Sequence, residues 1–236
     1  MGLDLFEIGA QILLIREIFL KLTILRQKCT SQNIKDVLYF QDSGGTMIAA
    51  KKINALSIDE FIENYEGTRC QFHEGEVWQV QATTPDHSHI QLYIGRFLAN
   101  YFGKTSGPGG GWWLFTEVAV KYQENSLFCH DLAGWRRSRV PERPRRYPVA
   151  ERPDWVCEIL SSNSARDLVT KKKVLFENEV PFYWIVNPVE NILSVFEWSP
   201  KSYMSILDVN LGFVGRIPPF DAMDINLSVL LGEEDE

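Results

Sequence analysis

Apolar residues recur along this chain in two rhythms. Between 84 and 103, Ile90, Tyr93, Ile94, Phe97, Leu98 and Tyr101 fall at helical spacing, which stacks them on one face. Thr84-Pro85 supplies a start, because Pro has no amide hydrogen to lose in a first turn, and Gly103 supplies a stop. Ser57 followed by Glu60 forms a capping box for a shorter helix, IDEFIENY, which Gly67 can end. A third helix is predicted over 166–178. Elsewhere the period is two. Cys70 to Gln81 alternates around His73-Glu74-Gly75-Glu76, a strand–turn–strand signal. Further strands are predicted near 113–122, 126–133, 154–161 and 182–187, with a hairpin over Ile192–Trp198 and Tyr203–Val209. Residues 134–152, rich in Arg and Pro, read as a loop. Residues 1–28 read as an amphipathic helix and 29–46 as a polar linker. Helices interleaved with strands predict an α/β fold, a mixed β-sheet flanked by helices.

Composition narrows the function. At 236 residues, 45% hydrophobic and 23% charged, the chain has globular proportions, enough for one domain with an appendage. Its net charge of −7 argues against a protein that coats nucleic acid over its whole surface. Four widely spaced cysteines with no CxxC pair exclude a disulfide framework and a structural zinc site, so a cytoplasmic location is expected. Arg16, Glu17 and Lys21 interrupt the apolar N-terminal stretch, and no membrane partner is expected.

Two acids break the pattern. Within Asp154–Ser161, Glu158 shares one face with Val156 and Leu160, while Trp155, Cys157 and Ile159 line the other. Apolar on both faces, this strand is predicted to be central. A carboxylate there is costly unless a cation or donor meets it. In Leu127-Phe128-Cys129-His130-Asp131-Leu132-Ala133, Asp131 is the single acid of an apolar run. Two isolated acids at the ends of buried strands suit a hard ion such as Mg2+, which takes oxygen ligands and keeps waters for substrate to displace. A salt-bridged or capping carboxylate is the alternative for each. In the helix 166–178, Lys171 and Lys172 both fall on the apolar stripe, and Lys173 points away. Either ammonium can reach the acids or snorkel along apolar surface, and periodicity leaves the two equivalent.

With these residues in place, HDLAGWRRSRVPERP, RPDWVCEILSSNSARDLVTKK and VPFYWIVNP resemble, in order and spacing, the Uma-type restriction endonucleases of the PD-(D/E)XK nuclease superfamily. The likeness runs over residues 47–236. It takes in Gly75-Glu76 in a hairpin, His87-x-x-Ile90 on a helix, a Trp-Trp strand leading to Glu117, and the closing PPFDAMDINLSVLL. It implies an extension over 1–46 and a nuclease domain over 47–236 with a restriction-endonuclease-like core. It further implies a metal site on Asp131 and Glu158, with the carbonyl of Ile159 as a further ligand and Mg2+ or Mn2+ as cofactor. The superfamily lysine, two residues after the strand acid, is Leu160 here. The family's Asp-x-x-x-Lys pattern on the next helix matches Asp167 and Lys171, which selects Lys171. Glu76, to hold a second ion or orient the first, and His87, to approach the acids, complete the implied catalytic set. His130 stands where the family has proline and is read as structural.

Residues 136–152 carry seven arginines against Glu142 and Glu151, a local charge of +5. Arg136, Arg137, Arg139, Arg145 and Arg146 are candidates for contacting DNA phosphates, a sequence-independent and salt-sensitive attraction. Tyr147 and Trp135 could add base stacking, and a solvated loop is the alternative. The expected activity is Mg-dependent endonucleolytic hydrolysis of DNA phosphodiester bonds. Its rivals are a catalytically silent nucleic-acid-binding or scaffold protein that retains the fold, and a metal-independent carboxylate-pair glycosidase. The expected partner is DNA, with a homodimer as an option.

Overall fold

The structure, a computed structural model, describes residues 56–80, 82–106, 109–123, 125–161 and 165–233, without the side chains of 165–167. The helix and linker expected over 1–46, and the boundary at 47, lie outside the described residues.

Helix α1 (Ile58–Tyr65) opens on its capping box: Ser57 Oγ accepts the Glu60 amide at 3.3 Å, and Glu60 Oε2 accepts the Ser57 amide at 2.9 Å. Helix α2 (Pro85–Tyr101) starts at the Thr84 cap and buries His87, Ile90, Gln91, Ile94, Phe97 and Leu98. Eight strands form one sheet: β1 (Cys70–His73), β2 (Glu76–Gln79), β3 (Trp112–Tyr122), β4 (Ser126–Arg136), β5 (Trp155–Ile159), β6 (Phe182–Asn187), β7 (Ile192–Trp198) and β8 (Tyr203–Asn210). Their order is β2-β1-β4-β5-β6-β7-β8, with β3 also on β4. The sheet is mixed. β5 and β6 run parallel, joined by the crossover helix α3 (Ala165–Glu177), and the other pairings are antiparallel. A hairpin of β9 (Val214–Ile217) and β10 (Phe220–Asn226) leads to the short helix α4 (Leu227–Leu231). β4 runs on to Arg136, so Gly134, Trp135 and Arg136 belong to a strand rather than to the Arg/Pro loop expected there.

β5 is buried at every position, as its two apolar faces require. Trp155, Cys157 and Ile159 pack with α2 and α4 on one side of the sheet, and Val156 packs with Val174 and Leu175 of α3 on the other.

Two irregularities in β3 and β4 position the site. The first is a slip in alternation. Val118, Val120 and Tyr122 share the α3-side core with Trp113 and Phe115, so the inward positions are even after Glu117 and odd before it. Glu117 absorbs the slip with φ +47°, a value uncommon outside glycine. β4 slips opposite: Phe128 faces that core, and so do Ala133 and Trp135. The register Thr116↔Leu132 and Val118↔His130 sets Glu117 across from Asp131.

The second irregularity is a break in pairing. β3 covers one edge of β4 from end to end. The other edge is shared, with β1 on Ser126 and Leu127 and β5 on Leu132 to Gly134. Between these two ladders side chains meet the backbone groups that a strand would otherwise meet. The Cys129 amide donates to Gln71 Oε1 at 3.3 Å, the Cys129 carbonyl accepts Lys171 Nζ at 3.3 Å, and the Asp131 carbonyl accepts Gln91 Nε2 at 2.8 Å.

Candidate active site

Asp131 stands in that break. Its Oδ2 accepts the amide of Ile159 at 2.7 Å, and its Oδ1 lies 3.3 Å from Nε2 of His87 on the first turn of α2. Gln91, one turn further along α2, donates from the same nitrogen to Glu117 Oε1 at 3.0 Å and to the Asp131 carbonyl. His87, Glu117 and Asp131 each bring a ligand atom within 4.8 Å of the other two.

His87 is 4% exposed, and neither ring nitrogen has a hydrogen-bond partner among the described residues. Its approach to Asp131 is close but lacks hydrogen-bond alignment. Leaving such a buried group without a hydrogen bond costs about 1–3 kcal/mol, so an imidazole this close to Asp131 yet not bonded to it fits a shared cation better than a plain core contact. Burial pushes the His87 imidazole down, but Asp131, then Glu117 and Glu158, outweigh burial and leave it above its ordinary value. The Cys129 thiol, 3.9 Å from Glu117 Oε2, is pushed up to about 12 by burial and by Glu117. It therefore stays protonated at neutral pH and offers no thiolate nucleophile.

Glu158 turns toward α3. Its Oε2 accepts Lys171 Nζ at 2.9 Å, and its Oε1 meets His130 Nδ1 at 2.6 Å. The other ring nitrogen of His130 meets the Tyr122 hydroxyl at 2.7 Å, so a buried chain runs Tyr122–His130–Glu158–Lys171. Burial raises the Glu158 carboxyl, but the Lys171 ammonium and the His130 bond lower it further, and it ends below its ordinary value. Both members of the Glu158–Lys171 pair are less than a tenth exposed. Lys171 rather than Lys172 makes this contact. The Lys172 ammonium lies 3.4 Å from the centre of the Phe196 ring, and burial lowers its pKa.

The structure brings Asp131, Ile159, Glu158, Lys171 and His87 together through these contacts. Ile159 presents its amide to Asp131, and Glu158 stands outside the His87–Glu117–Asp131 group. Glu76 is not brought to them. It sits on the edge strand β2 with β1 between it and β4, accepting the Trp78 indole at 3.4 Å. His130, expected to be structural, is fully buried and orients Glu158. Glu117 was not singled out as a ligand. The signal was present, since it is the isolated acid of an apolar strand, Trp-Trp-Leu-Phe-Thr-Glu-Val-Ala-Val.

The arginines divide. The Arg136 guanidinium lies 4.4 Å from the Trp112 ring centre. Arg137 lies 3.6 Å from that of Trp113 and donates to the Gly103 carbonyl. Arg139 pairs with buried Asp154 at 2.7 Å and bonds the Arg152 carbonyl. These three contact their own chain, although Arg136 and Arg139 remain exposed, and Arg143, Arg145 and Arg146 are exposed in the loop. Arg136 is five residues along β4 from Asp131, about 17 Å at strand rise. Trp135 is fully buried with its indole on the Glu151 carbonyl, which removes it as a base-stacking surface. Tyr147 remains exposed.

The eight-stranded mixed sheet flanked by helices is an α/β architecture that a solved structure shares. The chain belongs to the Uma2 family, described as "Putative restriction endonuclease", whose model matches residues 58–212. It is similar in fold to a solved structure described as "a putative nuclease belonging to DUF820 from Anabaena variabilis ATCC 29413". The TM-score is 0.60 at 18% identity, over 75% of this chain and 98% of that one. No curated protein matches the chain. No helix among the described residues is long and apolar enough to cross a membrane.

Proposed function

We propose that this chain is a divalent-metal-dependent endonuclease that hydrolyses DNA phosphodiester bonds. The observation that carries the reading is the convergence, at the break in β4, of the His87–Glu117–Asp131 ligand group with the buried Glu158–Lys171 pair. Membership of a family described as restriction endonucleases supports it at the level of reaction class.

A bound divalent ion supplies Lewis-acid polarisation of a phosphoryl oxygen and a water of lowered pKa. The chain's own residues prepare the place for it. The Ile159 amide fixes one oxygen of Asp131 and leaves the other facing His87. Gln91 fixes Glu117 against the same strand. Lys171 and His130 keep Glu158 ionised in a buried position, so that negative charge is held next to the break. The carbonyl of Ile159 is a further oxygen donor in this reading. Arg145 and Arg146, exposed in the loop, contact phosphate in this reading, an attraction that fades with salt.

One observation favours the second reading, a nucleic-acid-binding protein without turnover: both Glu158 oxygens are engaged by protein groups. Incubation of supercoiled plasmid with wild type and Asp131→Asn, with Mg2+ or Mn2+ and with EDTA, separates the two. Cleavage that needs metal and is lost in Asp131→Asn supports the nuclease. Salt-dependent DNA binding with no cleavage in any metal supports the second reading.

A further inference from the structure

We infer that His87 is a direct metal ligand and that it makes this site select a first-row transition ion, of the Mn2+ to Co2+ class, over Mg2+. The inference deepens the proposed function and rests on that reading for its biological use, but not for its test.

The argument begins with the ligand atoms. One ring nitrogen of His87, one oxygen of Asp131 and one of Glu117 lie within 4.8 Å of one another. Two ligand atoms each about 2.1 Å from one ion are separated by about 3.0 Å at a right angle and about 3.4 Å at the tetrahedral angle. The 3.3 Å from His87 Nε2 to Asp131 Oδ1 falls within that span. Independently, the imidazole is buried with neither nitrogen hydrogen-bonded among the described residues, although Asp131 Oδ1 lies close to Nε2. A histidine serving the core would be expected to satisfy at least one nitrogen.

The set is held from outside. Thr84 caps α2 by accepting the His87 amide at 3.2 Å, which fixes the helix start that carries the ring. Gln91 ties Glu117 to the Asp131 carbonyl from the same helix. Glu117 keeps an uncommon positive φ directly opposite Asp131, the type of local cost that persists at functional positions.

Ligand softness then sets the ion. Mg2+ prefers oxygen throughout and dehydrates reluctantly, whereas imidazole nitrogen is favoured by transition ions, with affinity rising from Mn2+ to Co2+. One nitrogen among two carboxylates therefore shifts preference away from Mg2+.

Isothermal titration of Mg2+, Mn2+ and Co2+ into the metal-free full chain tests this. Wild type is expected to bind in the order Co2+ over Mn2+ over Mg2+. His87→Ala should lower Co2+ affinity by no less than the about 10–100-fold that loss of an outer partner of a metal ligand costs, while Mg2+ affinity moves much less. Added imidazole should restore part of the loss. Equal affinity for the three ions, or Co2+ binding unchanged in His87→Ala, overturns the inference.

If His87→Ala does not fold, electron spin-echo spectra of wild type with Mn2+ decide alone. Modulation from a directly bonded nitrogen upholds the assignment, and its absence refutes it. A chain that shows this nitrogen but cleaves no DNA defeats the nuclease reading and leaves the ligand assignment standing. Metal-dependent cleavage without the nitrogen does the reverse.

Discussion

Replacing Lys171 by Met probes the buried pair from which the site is built. Lys171 and Glu158 are 2.9 Å apart, with side chains 5% and 8% exposed. Removing the ammonium leaves a buried carboxylate still bonded to His130 but without its cation. Breaking a buried ion pair from one side costs about 3–5 kcal/mol. At about 2–4 °C per kcal/mol for a domain of this size, the melting temperature should fall by about 6–20 °C. The double variant Glu158→Gln/Lys171→Met should be more stable than Lys171→Met, because no uncompensated charge is left.

The pH dependence changes sign between the two proteins. In wild type the Glu158 carboxyl lies below its ordinary value, chiefly through Lys171 against the opposing effect of burial. Its stabilisation is therefore complete above the ordinary carboxyl value of about 4.3 and is lost as pH falls through the lowered value. In Lys171→Met burial persists without its main counterweight, and the folded chain takes up a proton more readily than the unfolded one. Stability should then rise as the pH is lowered from neutral toward 5. Urea denaturation in EDTA across that range measures both effects. A Lys171→Met protein within about 1 kcal/mol of wild type, well short of the cost of an unpaired buried charge, would refute the reasoning, as would an unchanged pH slope.

Three further outcomes are expected. Tyr122→Phe removes the hydroxyl on fully buried His130 and should cost about 1–3 kcal/mol, visible in the urea midpoint; an unmoved midpoint counts against the buried chain. Arg139→Ala should destabilise by about 1.5–3 kcal/mol through Asp154. In contrast, Arg145→Ala/Arg146→Ala should leave stability unchanged and reduce the salt slope of DNA binding by about 2, read by fluorescence anisotropy. An unchanged slope removes those two arginines from the DNA surface.

The elements were legible where signals are local. The capping box of Ser57 and Glu60, the Thr84-Pro85 start of α2 and the double apolar face around Glu158 each act within a few residues, and each stands as expected. What was illegible depends on strands far apart in sequence. The break along β4 exists because β1 and β5, separated by more than eighty residues, share one edge. No period along residues 126–136 contains that fact. The slip at Glu117 is similarly hidden: strict alternation assumes extended backbone, and one residue at positive φ exchanges the two faces beyond it. Hence Glu117 was passed over as a ligand, although it satisfied the criterion that picked out Asp131 and Glu158. The partners of the arginine run were equally hidden. Charge counting treats every guanidinium as available, but Arg136 and Arg137 cover indole rings and Arg139 closes on Asp154.

The account depends on a divalent ion sitting at the break in β4. Anomalous diffraction from crystals of the full chain soaked in Mn2+ locates that ion directly. The account predicts a peak bonded to Asp131, with Glu117 and the His87 imidazole completing the protein ligands and the Glu158–Lys171 pair beside it. Crystals that take up Mn2+ elsewhere, or that show His87 and Asp131 joined only to each other at saturating metal, would contradict it.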